Sequence, residues 1–373
     1  MMKRTLAIVL ALILTIALVA CGAPPEKESD PAPTPAPTAA ATPQPTATPE
    51  PTPEPTPAPK QEGVSLTTGL PTNRQYRPIT VMIENSPKAR PQTGLQQADI
   101  VYEAMAEGGI TRMMCVFNDQ YPVVAGPVRS TRMYYINLQK EWDSPLIHYG
   151  GPRNASKPSY VYGESSKHIK VRVDGISGAS SKYFWRDKSR SAPNNAYTNV
   201  QKVADELYNY EPAVREPFSF SETVTYPGDT VKEVGLPWVS SDPTHTRFVY
   251  DASSGVFTRY LGSKAFDVRT VSEDKNGKQK TETAPMKVTN LIVQYAKTYV
   301  IPNDNKGRRM VDVVGKGECE YYIGGVQVKG TWERASREDS THFYDAEGKP
   351  IVLRPGNTWI CVHPTDHKST VKV

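Results

Sequence analysis

The chain has 373 residues, a formal net charge of +5 and 34 prolines, roughly twice the usual share of that residue. Fourteen of the prolines lie between Gly22 and Lys60, so the excess is local, and the remainder is long enough for two domains of ordinary composition. Charged residues of both signs make up 22% with no concentrated basic footprint, which argues against nucleic acid as a partner.

Met1 to Ala20 reads as an export signal. Lys3 and Arg4 form its positive start, and Thr5 to Ala20 is an uncharged apolar run too short for an ordinary spanning helix, which needs about 20 residues. It ends in Leu18-Val19-Ala20-Cys21, a lipobox-like sequence in which the Cys21 thiol would receive a diacylglycerol. Residues 21–60 then alternate Pro with Thr, Ala and Glu. Such a segment buries no core and favours polyproline II, reaching up to roughly 120 Å at about 3.1 Å per residue. The expectation is a lipid anchor on a spacer, with the body on the extracytoplasmic face of the cell membrane.

From about Gly63 the pattern turns globular, and 61–225 and 240–373 read as an N-terminal α/β domain and a mostly antiparallel β C-terminal domain. The fold class expected is therefore mixed α+β. Ile79 to Ile83 is an apolar strand, Gly94 to Asp99 a short helix, and Ile100–Ala106 with Ile110–Phe117 a hairpin around Gly108-Gly109. Pro122 to Gly126 reads as a strand. Ser130 is a good N-cap, and Tyr134, Leu138 and Trp142 recur every fourth residue, which predicts a helix over 130–142. Pro145 to Tyr149 is the next strand, and a helix capped by Thr198 runs from about Val200 to Tyr210.

Beyond the break at 221–243 the hairpin signals continue. They fall at 247–250 with 256–261, at 318–323 with 326–332, and at 342–344 with 351–353. Val288 to Ile301 is a long apolar stretch, and Trp359 to Val362 is expected to close the sheet. Cys115, Cys319 and Cys361 sit in apolar strand contexts, which predicts buried thiols, with a Cys319–Cys361 bridge left open.

The chemistry concentrates in 122–151. A strand, helix and parallel strand would form a βαβ unit and bring the helix N-terminus and the end of the second strand to one sheet edge. That edge would gather Arg129, Ser130, Arg132, His148, Gly150 and Gly151. Unpaired N–H groups of the helix start, with two arginines beside them, suit a carboxylate or phosphate, and the glycines would let a ligand reach the backbone. The bland alternative pairs these arginines with carboxylates such as Glu103 or Glu107. Glu84 and Asn85 at the end of their strand, and the polar loop holding Arg186, Arg190, Asn194 and Asn195, are candidates for the same cleft. Glu103, Glu107 and Arg112 around Gly108-Gly109 read as cross-strand charge pairs. Glu103, Glu107 or Glu84 with His148 would serve as acid and base, and Glu103 or Glu84 with His148 would make an envelope hydrolase.

There is no HExxH, P-loop, GxSxG or dinucleotide fingerprint, and the six histidines are scattered, so no metal site and no cofactor are expected. Twenty tyrosines and five tryptophans offer sugar-stacking surfaces, although strand packing accounts for most of them.

Several of these segments carry a resemblance. The runs Val81-Met82-Ile83-Glu84-Asn85-Ser86, Ala89-Arg90-Pro91-Gln92-Thr93-Gly94-Leu95 and Ala98-Asp99-Ile100-Val101-Tyr102-Glu103 belong to it, as do Gly126-Pro127-Val128-Arg129-Ser130 and the 186–195 loop. Together with Gly330-Thr331-Trp332 and Pro355-Gly356-Asn357-Thr358-Trp359, they make the sequence similar to the YerB-like lipoproteins of Gram-positive, spore-forming bacteria. The resemblance implies a surface lipoprotein with two tandem domains of unknown function, and it brings no catalytic residues with it. The expected function is binding of an anionic cell-wall or other envelope ligand, or of an envelope protein partner. The alternatives are the hydrolase above and a non-catalytic scaffold of a membrane-surface complex.

Overall fold

Residues 63–240 and 245–373 are described by a computed structural model, and the signal segment, Cys21 and the Pro-rich linker lie outside the described residues. Ten of its strands share one sheet. In chain order they are β1 (Ile79–Glu84), β2 (Ile100–Met105), β3 (Thr111–Phe117), β4 (Leu146–His148), β5 (Arg172–Asp174), β6 (Asn290–Ala296), β7 (Gly315–Ile323), β8 (Val326–Arg334), β9 (His342–Asp345) and β10 (Thr358–Pro364). The spatial order is β9-β8-β7-β6-β10-β2-β3-β1-β4-β5. Five strands from the second half of the sequence and five from the first thus form two contiguous blocks of a single sheet, joined where β10 runs parallel to β2 with Ile360 opposite Tyr102. The break near 221–243 divides the sequence but not this sheet.

The central strands β1, β2, β3, β6 and β10 are buried at every position. Both faces are covered, which is why their sequences run as continuous apolar stretches rather than alternating with polar residues. One face carries Met82, Tyr102, Met114 and Ile360 against Tyr134, Ile136 and Trp142 of α1 (Met133–Lys140) and its C-terminal turn. The other carries Val81, Ile83, Cys115 and Trp359. It packs on Val200 and Val203 of α3 (Val200–Leu207), and on Phe248 and Phe257 of a second sheet. A further helix, α2 (Tyr162–His168), lies between β4 and β5 in the chain. The fold is mixed and rich in strands, with short helices.

Several expectations change. Trp359 to Val362 lies in the middle of the sheet, between β6 and β2, instead of closing it, because β10 pairs in parallel on both sides and is buried throughout. Residues 122–126 make only isolated bridges, so no βαβ unit starts there. Pro122 and Pro127 flank the segment without N–H donors, and β4 runs parallel to β1 instead. The helix expected over 130–142 begins at Met133, and α3 is capped by Asn199, whose side chain accepts from the Lys202 amide, rather than by Thr198. The stretch 351–353 contributes Val352–Leu353 to a pairing with Ser219–Phe220 and does not form a ladder with β9. Cys115, Cys319 and Cys361 are free and buried, with no Cys319–Cys361 bridge.

Candidate functional site

The alternation of β1 decides the geometry. Glu84 and Asn85 are successive residues, so they leave the strand end on opposite faces of the sheet. Glu84 points to the α1 side, where it stands directly across from Arg112 of β3. Arg112 Nη2 lies 3.7 Å from the Glu84 carboxylate and 3.9 Å from that of Glu107, and its Nη1 donates to the Ser130 carbonyl at 3.0 Å. Arg129 donates its Nε proton to Glu84. Arg132 donates to Glu107 at 2.6 Å, and Arg308, from the other half of the sequence, approaches the same carboxylate at 4.0 Å while pairing with Asp304 at 2.9 Å. Four guanidiniums therefore meet three carboxylates. Arg112 and Glu84 are buried, whereas Arg129 and Arg132 remain 28% and 12% exposed.

Burial alone would raise the Glu84 carboxyl, but Arg112 and Arg129 outweigh it and hold the group below the usual carboxylate range. Glu107 behaves in the same way under Arg132 and Arg112. Both are anions at neutral pH. The arginines beside α1 thus take local carboxylates, as the bland reading had it for Glu107.

Arg132 occupies the N-cap position of α1, and no side chain caps the helix. The Ser130 hydroxyl, expected as the cap, donates instead to the Tyr149 carbonyl at 3.0 Å. His148 is buried, its Nδ1 is 2.9 Å from the Gly150 carbonyl, and burial pushes its pKa down against the pull of Asp174. The Gly150 amide donates to Asp174 at 2.7 Å. The two glycines do not leave backbone open to a ligand. A Cβ at Gly150 would come within 2.3 Å of Ile176 Cδ1, and one at Gly151 within 2.5 Å of Val161 Cγ2, so side chains already fill that space.

The polar loop reaches the same region. Arg186 donates to the Tyr149 hydroxyl at 3.1 Å and to Asn195 at 2.6 Å, Ser86 to Asn194 at 3.4 Å, and Arg190 to the carbonyls of Ala89 and Pro91 at 2.6 and 2.8 Å. The segments 84–86, 129–132, 148–151 and 186–195 are therefore neighbours.

Glu103 and Asn85 belong to the opposite face. Glu103 is fully buried and accepts from Asn85 at 3.1 Å, Thr111 at 2.6 Å, Trp359 at 3.0 Å and Arg259 at 2.9 and 3.2 Å. Arg259 is itself buried and lies over the Phe266 and Trp359 rings. β2 and β4 are separated by β3 and β1, so Glu103 and His148 sit three strands apart on different faces and do not form an acid–base pair. Glu84 shares a face with His148, but its oxygens are committed to two arginines. The approach of Arg308 to Glu107 and of Arg259 to Glu103 lay beyond sequence reasoning, because each pair is over 150 residues apart and no local pattern marks it.

Residues 67–212 match the family description "Protein of unknown function (DUF3048) N-terminal domain", and residues 235–360 match the corresponding C-terminal domain. "Putative lipoprotein YerB" of Bacillus subtilis (strain 168) is 30% identical over 304 residues, which is 80% of this chain and 85% of that protein. The chain belongs to the DUF3048 family. The crystal structure of YerB from Bacillus subtilis superposes with a TM-score of 0.66 at 27% identity, covering 83% of this chain and 99% of that one. In this DUF3048 protein the two family segments are bound to each other by charge as well as by strands. Glu103 of the first holds Arg259 of the second, and Glu107 of the first faces Arg308 of the second.

Proposed function

We propose that this DUF3048 chain is a lipid-anchored protein of the extracytoplasmic membrane face that holds an anionic, envelope-derived ligand at the start of α1. The observation that carries the reading is the uncapped first turn of α1 flanked by two partly exposed arginines, Arg129 and Arg132, in a cluster with one more guanidinium than carboxylates. Unpaired N–H groups of a helix start attract anions, and guanidinium edges not used by Glu84 and Glu107 bind phosphate or carboxylate oxygens. The anchor is supported by the lipobox at Cys21, by the Pro-rich spacer and by the lipoprotein name of the YerB relative. Among the described residues no helix is long and apolar enough to cross a membrane.

The test is a thermal-shift series with poly(glycerol phosphate), pyrophosphate and muramyl peptides. At least one should raise the melting temperature of the wild type and leave Arg129→Ala/Arg132→Ala unmoved. Equal shifts in both proteins would reject the site. Cys21→Ala should release the protein from membranes, and its retention there would reject the lipid anchor.

A further inference from the structure

Four of the five tryptophans are buried, and Trp185 alone is exposed, at 41%. It stands in a two-strand ribbon, Phe184–Arg186 with Ala196–Thr198, directly opposite Tyr197. The two rings lie on the same side of the ribbon, centroids 6.3 Å apart and tilted by 23°, in an offset stack. Arg186, the next residue, turns to the other side and bonds Asn195 and Tyr149.

A hollow of about 230 Å³ opens beside this stack. Its far wall is the hairpin Asp267–Glu273 with Gln279–Pro285, whose second strand is exposed at every position. The polar side chains lining it are Thr93, Asp187, Arg269, Gln279 and Thr281. Among the side chains that line the hollow Asp187 and Arg269 cancel in charge, and the nearby Arg190 guanidinium is tied to the Ala89 and Pro91 carbonyls. Asp187 uses Oδ1 to accept from the amide and hydroxyl of Ser189, which holds its carboxyl below the usual range and keeps it an acceptor. Tyr197 is 3% exposed, and its hydroxyl, beside Thr93, completes no hydrogen bond of normal geometry among the described residues. A buried hydroxyl without a partner is costly unless a ligand or solvent satisfies it.

We infer that the hollow between the Trp185–Tyr197 stack and the 267–285 hairpin is a binding site for a neutral pyranose unit of an envelope polysaccharide. The exposed indole offers an apolar face for the flat C–H side of a sugar ring. The rim supplies donors and acceptors in balance: Arg269 and Gln279 donate, Asp187 accepts, and Thr281 does either. The volume lies below the usual range for drug-sized ligands, which limits the contact to about one ring of a longer strand. An exposed tryptophan also suits a protein interface. The charge balance of the lining and its threonine and glutamine side chains favour the sugar.

The experiment titrates the detergent-solubilised full chain with chitotetraose and cellotetraose, two neutral β-linked probes that differ in the acetamido group, following tryptophan emission and heat. One or both should bind saturably with a blue shift in emission, because Trp185 is the exposed fluorophore. Trp185→Ala should weaken binding at least tenfold while the far-ultraviolet dichroism and melting curve stay as in the wild type. Trp185→Phe should retain most of the affinity, and Arg129→Ala/Arg132→Ala should leave it unchanged, which separates this site from the anionic one. The inference is overturned if neither probe binds by 10-millimolar concentration (roughly the weakest useful affinity for one ring), or if Trp185→Ala binds as the wild type does. It is equally overturned if Trp185 proves necessary only for capturing a protein.

Discussion

Replacing Glu103 by Ala should be among the most destabilising single changes in the protein. The carboxylate receives five hydrogen bonds from four side chains, and two of the five come from the Arg259 guanidinium. Both charged partners are fully buried, so the substitution strands Arg259 as an uncompensated cation between the two family segments. Breaking a buried pair from one side costs about 3–5 kcal/mol. For a body of this size that corresponds to a melting-temperature loss of about 5–8 °C. Glu103→Gln should cost nearly as much, because its amide places donors where Arg259 and Trp359 already donate. The double variant Glu103→Leu/Arg259→Met removes both charges and should lose markedly less than the sum of the single changes. Urea unfolding of the wild type, Glu103→Ala, Glu103→Gln, Glu103→Leu, Arg259→Met and the double variant, followed by tryptophan emission, measures each value. A loss below about 1 kcal/mol for Glu103→Ala, or strict additivity in the double variant, would refute the idea that this pair pins the two halves together.

Other consequences follow from the same geometry. Glu84 is held below the usual carboxylate range by Arg112 and Arg129, which overcome the opposing effect of burial. Its contribution to stability should therefore be complete above the unfolded carboxylate value and be lost as pH falls through the lower folded value. In acid titrations monitored by unfolding, Glu84→Gln should flatten that part of the profile, and an unchanged profile would contradict the assignment. Burial depresses His148 and also His363, so folding should weaken as pH falls below the ordinary histidine value, and His148→Gln should reduce that slope in unfolding measured between pH 7 and 5 while His363 carries the rest. Gly330→Ala in β8 would set a Cβ 1.9 Å from the Tyr344 carbonyl oxygen across the β8–β9 ladder, and should cost roughly 1–3 kcal/mol or more in urea unfolding.

Local signals reveal local structure. The Gly108-Gly109 turn between β2 and β3, the 318–332 hairpin and the helix after Arg132 are each written in a few adjacent residues, and each forms. What the local pattern does not carry is pairing across distance. β10 reads as a terminal strand because it comes last, yet its unbroken apolar run is what a central parallel strand needs on both faces. The candidate site shows the same division. The four segments 84–86, 129–132, 148–151 and 186–195 do become neighbours. A period of two then sends Glu84 to one face and Asn85 to the other, and places Glu103 with Asn85, away from the arginines of α1. The contacts of Arg259 with Glu103 and of Arg308 with Glu107 have no sequence signature, because each joins a cation to a carboxylate from the other half. Trp185 was hidden by its type: most aromatics in strands are packed, and its exposure depends on a ribbon that leaves the core.

The central claim is that Arg129 and Arg132 at the start of α1 bind an anionic envelope ligand. Isothermal titration of the full chain with poly(glycerol phosphate) at low salt tests it most directly. Saturable binding that weakens with added salt and falls at least tenfold in Arg129→Ala/Arg132→Ala is the predicted result. Binding of equal strength in the double variant would contradict the claim.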